Sequence, residues 1–177
     1  MASPTPYFKF EPAIHGEYGI ARYPELPPDI SFLAGRAISE PLPRPLVFSV
    51  SNPADVPPQH LVGTMIPVAS QALLDALQAA GVDTLQRFAA VLRNDVTGQC
   101  WTDFFAFNLL GLVDAVEGRA SPSEPLVLAQ AKVAPHRMFR AAHNPLEVFI
   151  SEGVRSELIR RRPPEGWGVT TTEVPVR

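Results

Sequence analysis

The chain has 177 residues, of which 46% are hydrophobic, and its formal net charge at pH 7 is -3. This size and apolar content are sufficient for one sizeable hydrophobic core, and they favour a single domain over two. Because charged residues make up only 19% of the chain, the sequence lacks the basic character of a nucleic-acid-binding protein, and we expect no nucleic-acid partner.

The cysteine content and the N-terminal sequence indicate the cellular compartment. The single cysteine, Cys100, cannot form an internal disulfide, which is typical of proteins in a reducing compartment. Residues 1–6 lack the basic and apolar regions of a secretory signal. The longest apolar stretch, residues 104–113, is much shorter than the roughly 20 residues that span a bilayer, and it predicts a buried strand. We therefore predict a cytoplasmic protein without a membrane partner.

The distribution of prolines divides the chain into two segments. The chain has 20 prolines, and those in residues 1–60 oppose long helices there. Aromatic residues between these prolines, such as Phe8 and Phe32, argue against disorder. We expect residues 1–60 to wrap around a core formed by residues 61–177, with both segments in one compact domain.

The clearest helical pattern lies between residues 69 and 80, where leucines and alanines recur at helical spacing. Pro67 or Ser70 can begin this helix, and Gly81 can provide the left-handed residue that often ends one. The sequence therefore predicts a helix over residues 69–80.

Strand patterns follow this helix. Apolar and aromatic runs at residues 88–93 and 101–113 flank the turn-rich residues 94–99, which predicts a long β-hairpin. The polar residues 117–125 predict a surface loop, and residues 126–133 predict another strand.

The last part of the chain combines strands with a second helix. Residues 137–141 and 147–150 predict two short strands, and Ser151 and Glu152 suit the first turn of a helix. Residues 169–176 alternate like a closing strand. Strands dominate, with two principal helices and no apparent internal repeat, so the predicted fold class is α+β with mostly antiparallel strands.

The sequence has none of the common local motifs of catalysis. It lacks a nucleophile elbow, a P-loop, a dinucleotide-binding glycine motif and a zincin motif. Cys100 could act as a nucleophile with His136 or His143 as its base. A small apolar side chain on a hairpin strand is the simpler interpretation of Cys100.

The histidines and carboxylates also do not form a local metal-binding or acid–base motif in the sequence. The four histidines do not occur four residues apart or as a His-x-His pair, so no local metal chelate is predicted. Aspartates and glutamates near the hairpin could form an acid–base pair, but such residues more often stabilise turns. These carboxylates are Asp95, Asp103, Asp114 and Glu117. We therefore predict no catalytic residue, no metal and no cofactor.

A series of short motifs in residues 61–176 resembles a known family. The motifs are Val68-Ala69-Ser70 before the first helix, Phe107-Asn108-Leu109-Leu110, Val113-Asp114-Ala115-Val116, Leu126-Val127-Leu128, Met138-Phe139-Arg140, Val148-Phe149-Ile150-Ser151-Glu152 and Gly168-Val169. In this order they resemble the MXAN-type immunity-protein family of bacterial polymorphic toxin systems. The resemblance implies a protein that is not an enzyme and that neutralises a cognate toxin by binding it.

The resemblance does not identify the contact residues, so these are predicted from residue type and expected exposure. Loops on a rigid scaffold often carry binding residues, and aromatic side chains are enriched at binding hot spots. We predict partner-binding roles for Asp95 at the hairpin turn, Glu117 and Glu124 in the polar loop, and Trp167. A mildly acidic chain suits a basic toxin surface.

Two other classes of protein remain open. The chain could be a small hydrolase or transferase with dispersed catalytic residues, which a buried histidine or carboxylate in a deep pocket would favour. It could also be a structural or regulatory subunit of a permanent oligomer, which a large apolar surface patch would favour.

Overall fold

Among the described residues, the fold consists of two β-sheets, two nine-residue helices and one short helix. The computed structural model describes residues 5–13, 19–53, 56–117 and 125–177. The strands are β1 (Tyr7–Pro12), β2 (Ile20–Arg22), β3 (Leu46–Val50), β4 (Leu61–Val62), β5 (Val68–Ser70), β6 (Leu85–Asn94), β7 (Cys100–Leu109), β8 (Leu112–Val113), β9 (Met138–Ala141), β10 (Asn144–Ser151) and β11 (Val169–Val174). The helices are α1 (Gln71–Ala79), α2 (Gln130–Val133) and α3 (Glu152–Arg160).

The strands form one six-stranded sheet and one five-stranded sheet. The six-stranded sheet has the order β2-β3-β6-β7-β5-β4, and the five-stranded sheet has the order β11-β1-β10-β9-β8. Pairing is parallel between β3 and β6 and between β8 and β9, and it is antiparallel in the other seven pairs of the described strands. The domain is therefore α+β, as predicted, and both sheets are mixed.

The same arrangement of elements occurs once in each sheet. In the first unit, the antiparallel pair β4–β5 leads into α1 and then into β6, with β7 between β5 and β6. In the second unit, the antiparallel pair β9–β10 leads into α3 and then into β11, with β1 between β10 and β11. This duplicated architecture was not apparent as a repeat in the sequence.

One hydrophobic cluster joins the two units. It contains α1 residues such as Leu73 and Leu77, α3 residues Val154 and Leu158, and apolar side chains from both sheets, including Phe8 of β1. Because this cluster includes both sheets, the two units share a single core. Two further clusters each contain strand residues of one sheet, such as Phe48 and Leu92 of the six-stranded sheet and Tyr7 and Phe149 of the five-stranded sheet.

The proline-rich N-terminal segment contributes to both sheets. β1 lies between β10 and β11, and β3 pairs with β6. Between β2 and β3, the side chains of Phe32, Ile38 and Leu42 are buried in the cluster that contains Phe48 of β3.

The structure contains the helix predicted over residues 69–80, with α1 at Gln71–Ala79. The Ser70 hydroxyl accepts a hydrogen bond from the Leu73 N–H, which satisfies one of the free donors at the helix start. Gly81 follows the helix with a φ of 82°, in the left-handed region that glycine adopts easily.

The predicted hairpin and second helix are also present. β6 and β7 pair along most of their length, and α3 begins after Ser151. Ser151 occupies the cap position without making a side-chain capping hydrogen bond. Glu157 accepts side-chain hydrogen bonds from Arg160 and Arg161 at the other end of this helix.

The prediction of a strand over residues 126–133 is wrong. Only Leu128 makes isolated bridges, to Val116 and Val176, and the chain then enters α2. Alanine has the highest helix propensity, and the Val133 and Ala134 N–H groups donate to the Ala129 and Gln130 carbonyls in the helical pattern.

The apolar stretch over residues 104–113 is not one strand. β7 ends at Leu109, and β8 lies in the other sheet. Gly111 separates them with a φ of 88°, and its N–H donates to the Gly35 carbonyl. The chain can therefore turn from one sheet to the other at this glycine.

Candidate functional site

An open cleft of about 580 Å³ is the candidate functional site. One side of the cleft is formed by α3 and by residues 161–168, which follow it. The other side is formed by the start of β7 and by residues 56–60, which precede β4. Its lining includes Pro57, His60, Trp101, Asp103, Arg155, Ile159, Glu165 and Trp167. We refer to these residues as the cleft.

The connection between α3 and β11 forms one wall of the cleft. Trp167 is 7% exposed, and its Nε1–H donates to the Leu158 carbonyl of α3 at 2.7 Å. Gly168 has a φ of 64°, and a Cβ at this position would lie 2.6 Å from Cβ of Gln59. Only glycine allows the connection to pass this close to the residues before β4.

A chain of side-chain contacts crosses the cleft. The Ser70 hydroxyl lies 2.6 Å from Nδ1 of His60, and Nε2 of His60 lies 3.3 Å from a Glu165 carboxylate oxygen. The His60 ring also packs edge-on against Trp167, with ring centroids 5.1 Å apart. His60 therefore links the start of α1 to the connection that follows α3.

The direction of these hydrogen bonds follows from the role of Ser70. Its oxygen already accepts from the Leu73 N–H, so its own proton is available to donate to Nδ1 of His60. In that tautomer, Nε2 of His60 carries a proton and donates to Glu165. A hydrogen bond from the backbone N–H of Glu165, followed by the one from His60, lowers the pKa of the Glu165 carboxyl.

A second charged group lies at the cleft next to an aromatic ring. The Arg155 guanidinium carbon lies 4.5 Å from the centre of the Phe8 ring, which is a cation–π distance. One guanidinium nitrogen contacts a Glu152 oxygen at 3.5 Å. These contacts orient Arg155 while leaving part of its side chain exposed.

The geometry favours binding over nucleophilic chemistry. A serine, a histidine and a carboxylate in series resemble a nucleophile with its base. Ser70 is only 2% exposed and also caps α1, so a substrate has little access to its hydroxyl. Ile159 is 57% exposed and Trp101 is half-buried, so the rim offers apolar surface to a partner.

The structure places the predicted partner-binding residues at separate locations. Trp167 lies in the cleft. Asp95 lies at the β6–β7 turn, where it contacts Arg22 at 2.7 Å and Arg93 at 2.9 Å. Hydrogen bonds from Ser49 and then from Arg93 lower the pKa of the Asp95 carboxyl. Asp95 is therefore held by basic neighbours at the base of the turn.

The two polar-loop glutamates differ in what the structure describes. Glu117 is exposed, and its N–H donates to the Val127 carbonyl at 3.1 Å. Glu124 lies outside the described residues. Neither Asp95 nor Glu117 is among the residues that line the cleft.

The other side chains considered from the sequence do not come together. Cys100 is exposed, and its closest described polar partner is the Gly98 carbonyl at 3.6 Å. His136 packs against Phe139, and His143 contacts Glu147 at 3.0 Å. Within the described ranges, no three His, Cys, Asp or Glu side chains are grouped as metal ligands. No described helix has the length and apolar content needed to cross a bilayer.

The main contacts of the cleft could not be found by sequence spacing. His60 and Ser70 are ten residues apart, and His60 and Glu165 are 105 residues apart. Ser70 was predicted only as a possible helix start, and His60 was one of the four histidines for which no local metal chelate was predicted. Trp167, which lies between Gly166 and Gly168, was the residue of the cleft that was predicted as a partner-binding residue.

Comparison with protein-family models finds no match, and comparison with curated proteins finds no significant match.

Proposed function

We propose that the chain is a cytoplasmic immunity protein that binds a cognate toxin protein and neutralises it, without a cofactor, using the cleft as part of its binding surface. The observation that carries this proposal is the open cleft of about 580 Å³, with Ile159 and Trp101 available at its rim. The ordered motifs that resemble the immunity-protein family support the same function.

The residue types at the cleft suit a protein partner. Tryptophan and arginine are enriched at binding hot spots, and such residues act best when surrounding contacts exclude water. Trp101 and Arg155 are residues of these types, and Ile159 adds exposed apolar surface beside them. The contacts of His60 and Trp167 fix the shape of the cleft. We propose that the toxin inserts an apolar side chain between Trp101 and Ile159.

The net charge of the whole chain supports a basic toxin. The chain has a net charge of -3, whereas the cleft itself carries both acidic residues, Asp103 and Glu165, and basic residues, Arg155 and Arg162. Opposite charge on a partner increases the association rate and disfavours incorrect partners. Asp95 and Glu117 remain predicted contacts that do not line the cleft, and Glu124 remains a predicted contact that lies outside the described residues.

The first experiment is co-expression of the chain with the product of the neighbouring gene. We expect rescue of growth and isolation of a stable complex of the two proteins. Unchanged toxicity with no complex would reject that product as the partner.

A pair of variants tests whether the cleft is the binding surface. Ile159→Glu places a charge at the cleft and should weaken toxin binding by at least about tenfold, because burying an unpaired charge is unfavourable. Met65→Glu is the control, since Met65 is similarly exposed, at 53%, and does not line the cleft. Equal binding by both variants, measured by calorimetry, would place the toxin elsewhere on the surface.

The contact chain through Ser70, His60 and Glu165 favours one second candidate, a small hydrolase or transferase. In this role His60 would accept the Ser70 proton as the hydroxyl attacks a substrate. A panel of activated esters tests this function. Turnover that is lost in His60→Ala would support an enzyme, whereas absence of turnover in the unchanged protein would reject hydrolysis of these esters.

A further inference from the structure

Arg140 of β9 is a buried charged residue that the cleft does not use. Its side chain is 1% exposed, and it lies on an interior strand between Phe139 and Ala141, which are also buried. Burial lowers the pKa of the Arg140 guanidinium to about 10, so the group stays protonated at neutral pH. Placing a charge in such a position is unfavourable unless it is paired.

The guanidinium of Arg140 has few partners among the described residues. One terminal nitrogen donates to the Pro145 carbonyl, and Nε has no hydrogen-bond partner. No described carboxylate forms an ion pair with it. A guanidinium has five N–H donors, so most of its capacity is unused within the described residues.

The acidic side chains that line the same cavity as Arg140 contact other groups. Glu11 contacts Lys9 at 3.1 Å. Glu147 contacts His143 at 3.0 Å and Lys9 at 3.8 Å. Neither carboxylate lies within ion-pair distance of Arg140.

Arg140 lines a cavity of about 230 Å³ that opens beside β1 and β10. The remaining lining combines apolar residues such as Phe10, Leu61, Phe107 and Val148 with the polar residues Lys9, Glu11, Thr64, Asn144 and Glu147. Small-molecule pockets for drug-sized ligands start at roughly 300 Å³. This cavity is therefore suited to a smaller molecule.

We propose that this cavity binds a short aliphatic monocarboxylate, whose carboxylate pairs with Arg140 and whose hydrocarbon end packs against the apolar lining. A free guanidinium N–H can donate a strong, charge-assisted hydrogen bond to a carboxylate oxygen. A doubly charged anion would be repelled more strongly than a monocarboxylate by Glu11 and Glu147, which line the same cavity. The proposal is independent of toxin binding, because the cleft and this cavity share none of their lining residues.

Thermal unfolding in the presence of butyrate tests the proposal. At a butyrate concentration about ten times its Kd, we expect the Tm to rise by about 3–6 °C. Butanol, which lacks the charge, and phosphate and chloride at matched ionic strength are the controls. An equal rise with chloride would indicate a general salt effect and overturn the proposal, and so would a larger rise with phosphate or no rise with butyrate.

Two variants locate the binding site. Arg140→Met has a similar length without the charge, and it should abolish the response to butyrate while leaving the ligand-free Tm unchanged or higher. Thr64→Phe fills the mouth of the cavity from an exposed position and should abolish the response with Arg140 intact, which keeps the test valid if Arg140→Met does not fold. A butyrate response that survives in either folded variant would place the ligand elsewhere.

Discussion

The two units of the fold share their order of elements but differ in the connection that follows each helix. After α1, residues 80–84 lead directly into β6, and the Val82 N–H donates to the Leu77 carbonyl to end the helix compactly. After α3, the connection is longer, at residues 161–168, and it carries two prolines, Gly166, Trp167 and Gly168.

This difference shows where the cleft comes from. The same framework of strands and helix positions both connections, but only the second extends far enough to meet the residues before β4. Its contacts with His60 and Gln59 form one wall of the cleft. The cleft is thus formed by a longer connection on the same arrangement of strands and helix, and loops on such scaffolds commonly carry binding residues.

The largest expected effect is at Trp167. Trp167→Ala removes a buried ring and its hydrogen bond to the Leu158 carbonyl, and it should lower the free energy of unfolding by about 3–5 kcal/mol. Val82→Ala in the first unit removes less apolar surface and should lower it by about 1.5 kcal/mol. Urea unfolding of both variants measures the difference, and equal losses would show that the two connections contribute equally to stability.

The next effect concerns the glycines of the two connections. Gly168→Ala places a side chain on a left-handed backbone and brings its Cβ within 2.6 Å of Cβ of Gln59. We expect it to lower the free energy of unfolding by about 2–4 kcal/mol. The added Cβ of Gly81→Ala contacts only the flexible end of the Arg137 side chain, so this variant should lower the free energy of unfolding by about 1–2 kcal/mol. Gly98→Ala, with no atom within 4 Å, measures the backbone contribution alone. A loss at Gly168 no greater than at Gly98 would show that the connection can move away from Gln59.

A smaller effect distinguishes the two helix starts. Ser70→Ala removes the hydrogen bond that the Ser70 hydroxyl accepts from the Leu73 N–H, together with the contact with His60. We therefore expect the free energy of unfolding to fall by about 1–2 kcal/mol. Ser151→Ala should change stability by less than about 0.5 kcal/mol, because its side chain makes no capping hydrogen bond. Chemical denaturation tests this pair, and similar losses would mean that Ser151 caps α3 in solution.

The smallest expected effect is the pH dependence of the stability that Glu157 contributes at the C-terminal end of α3. Hydrogen bonds from Arg160 and then Arg161 lower the pKa of Glu157 from 4.5 to about 2. Since the pKa is lower in the folded state, this stabilisation is present above about pH 4.5 and is lost as the pH falls towards 2. Glu157→Gln should lower the Tm at pH 7 by less than about 3 °C, with a smaller difference near pH 2. A Tm difference that does not change with pH would contradict this assignment. The matched control Glu152→Gln alters a carboxylate at the other end of α3.

Local patterns predicted the elements that depend on neighbouring residues. The spacing of apolar residues predicted α1, the turn residues 94–99 predicted the β6–β7 hairpin, and Ser151 marked the start of α3. Where an apolar run was ambiguous, the prediction failed: residues 126–133 contain α2, and Gly111 divides the apolar run that was predicted as one strand. A short apolar run does not by itself distinguish a strand from a buried helix.

The sequence by itself determined an α+β domain, the positions of its two longer helices and its main hairpin, because periodicity and capping are local properties. Only the tertiary structure decided that β1 lies between β10 and β11, that the two units share one arrangement, and that His60 meets both Ser70 and Glu165. It also decided that Arg140 is buried at a small cavity. These features join residues distant in the chain, and their contacts depend on how the two sheets pack, which no local pattern specifies.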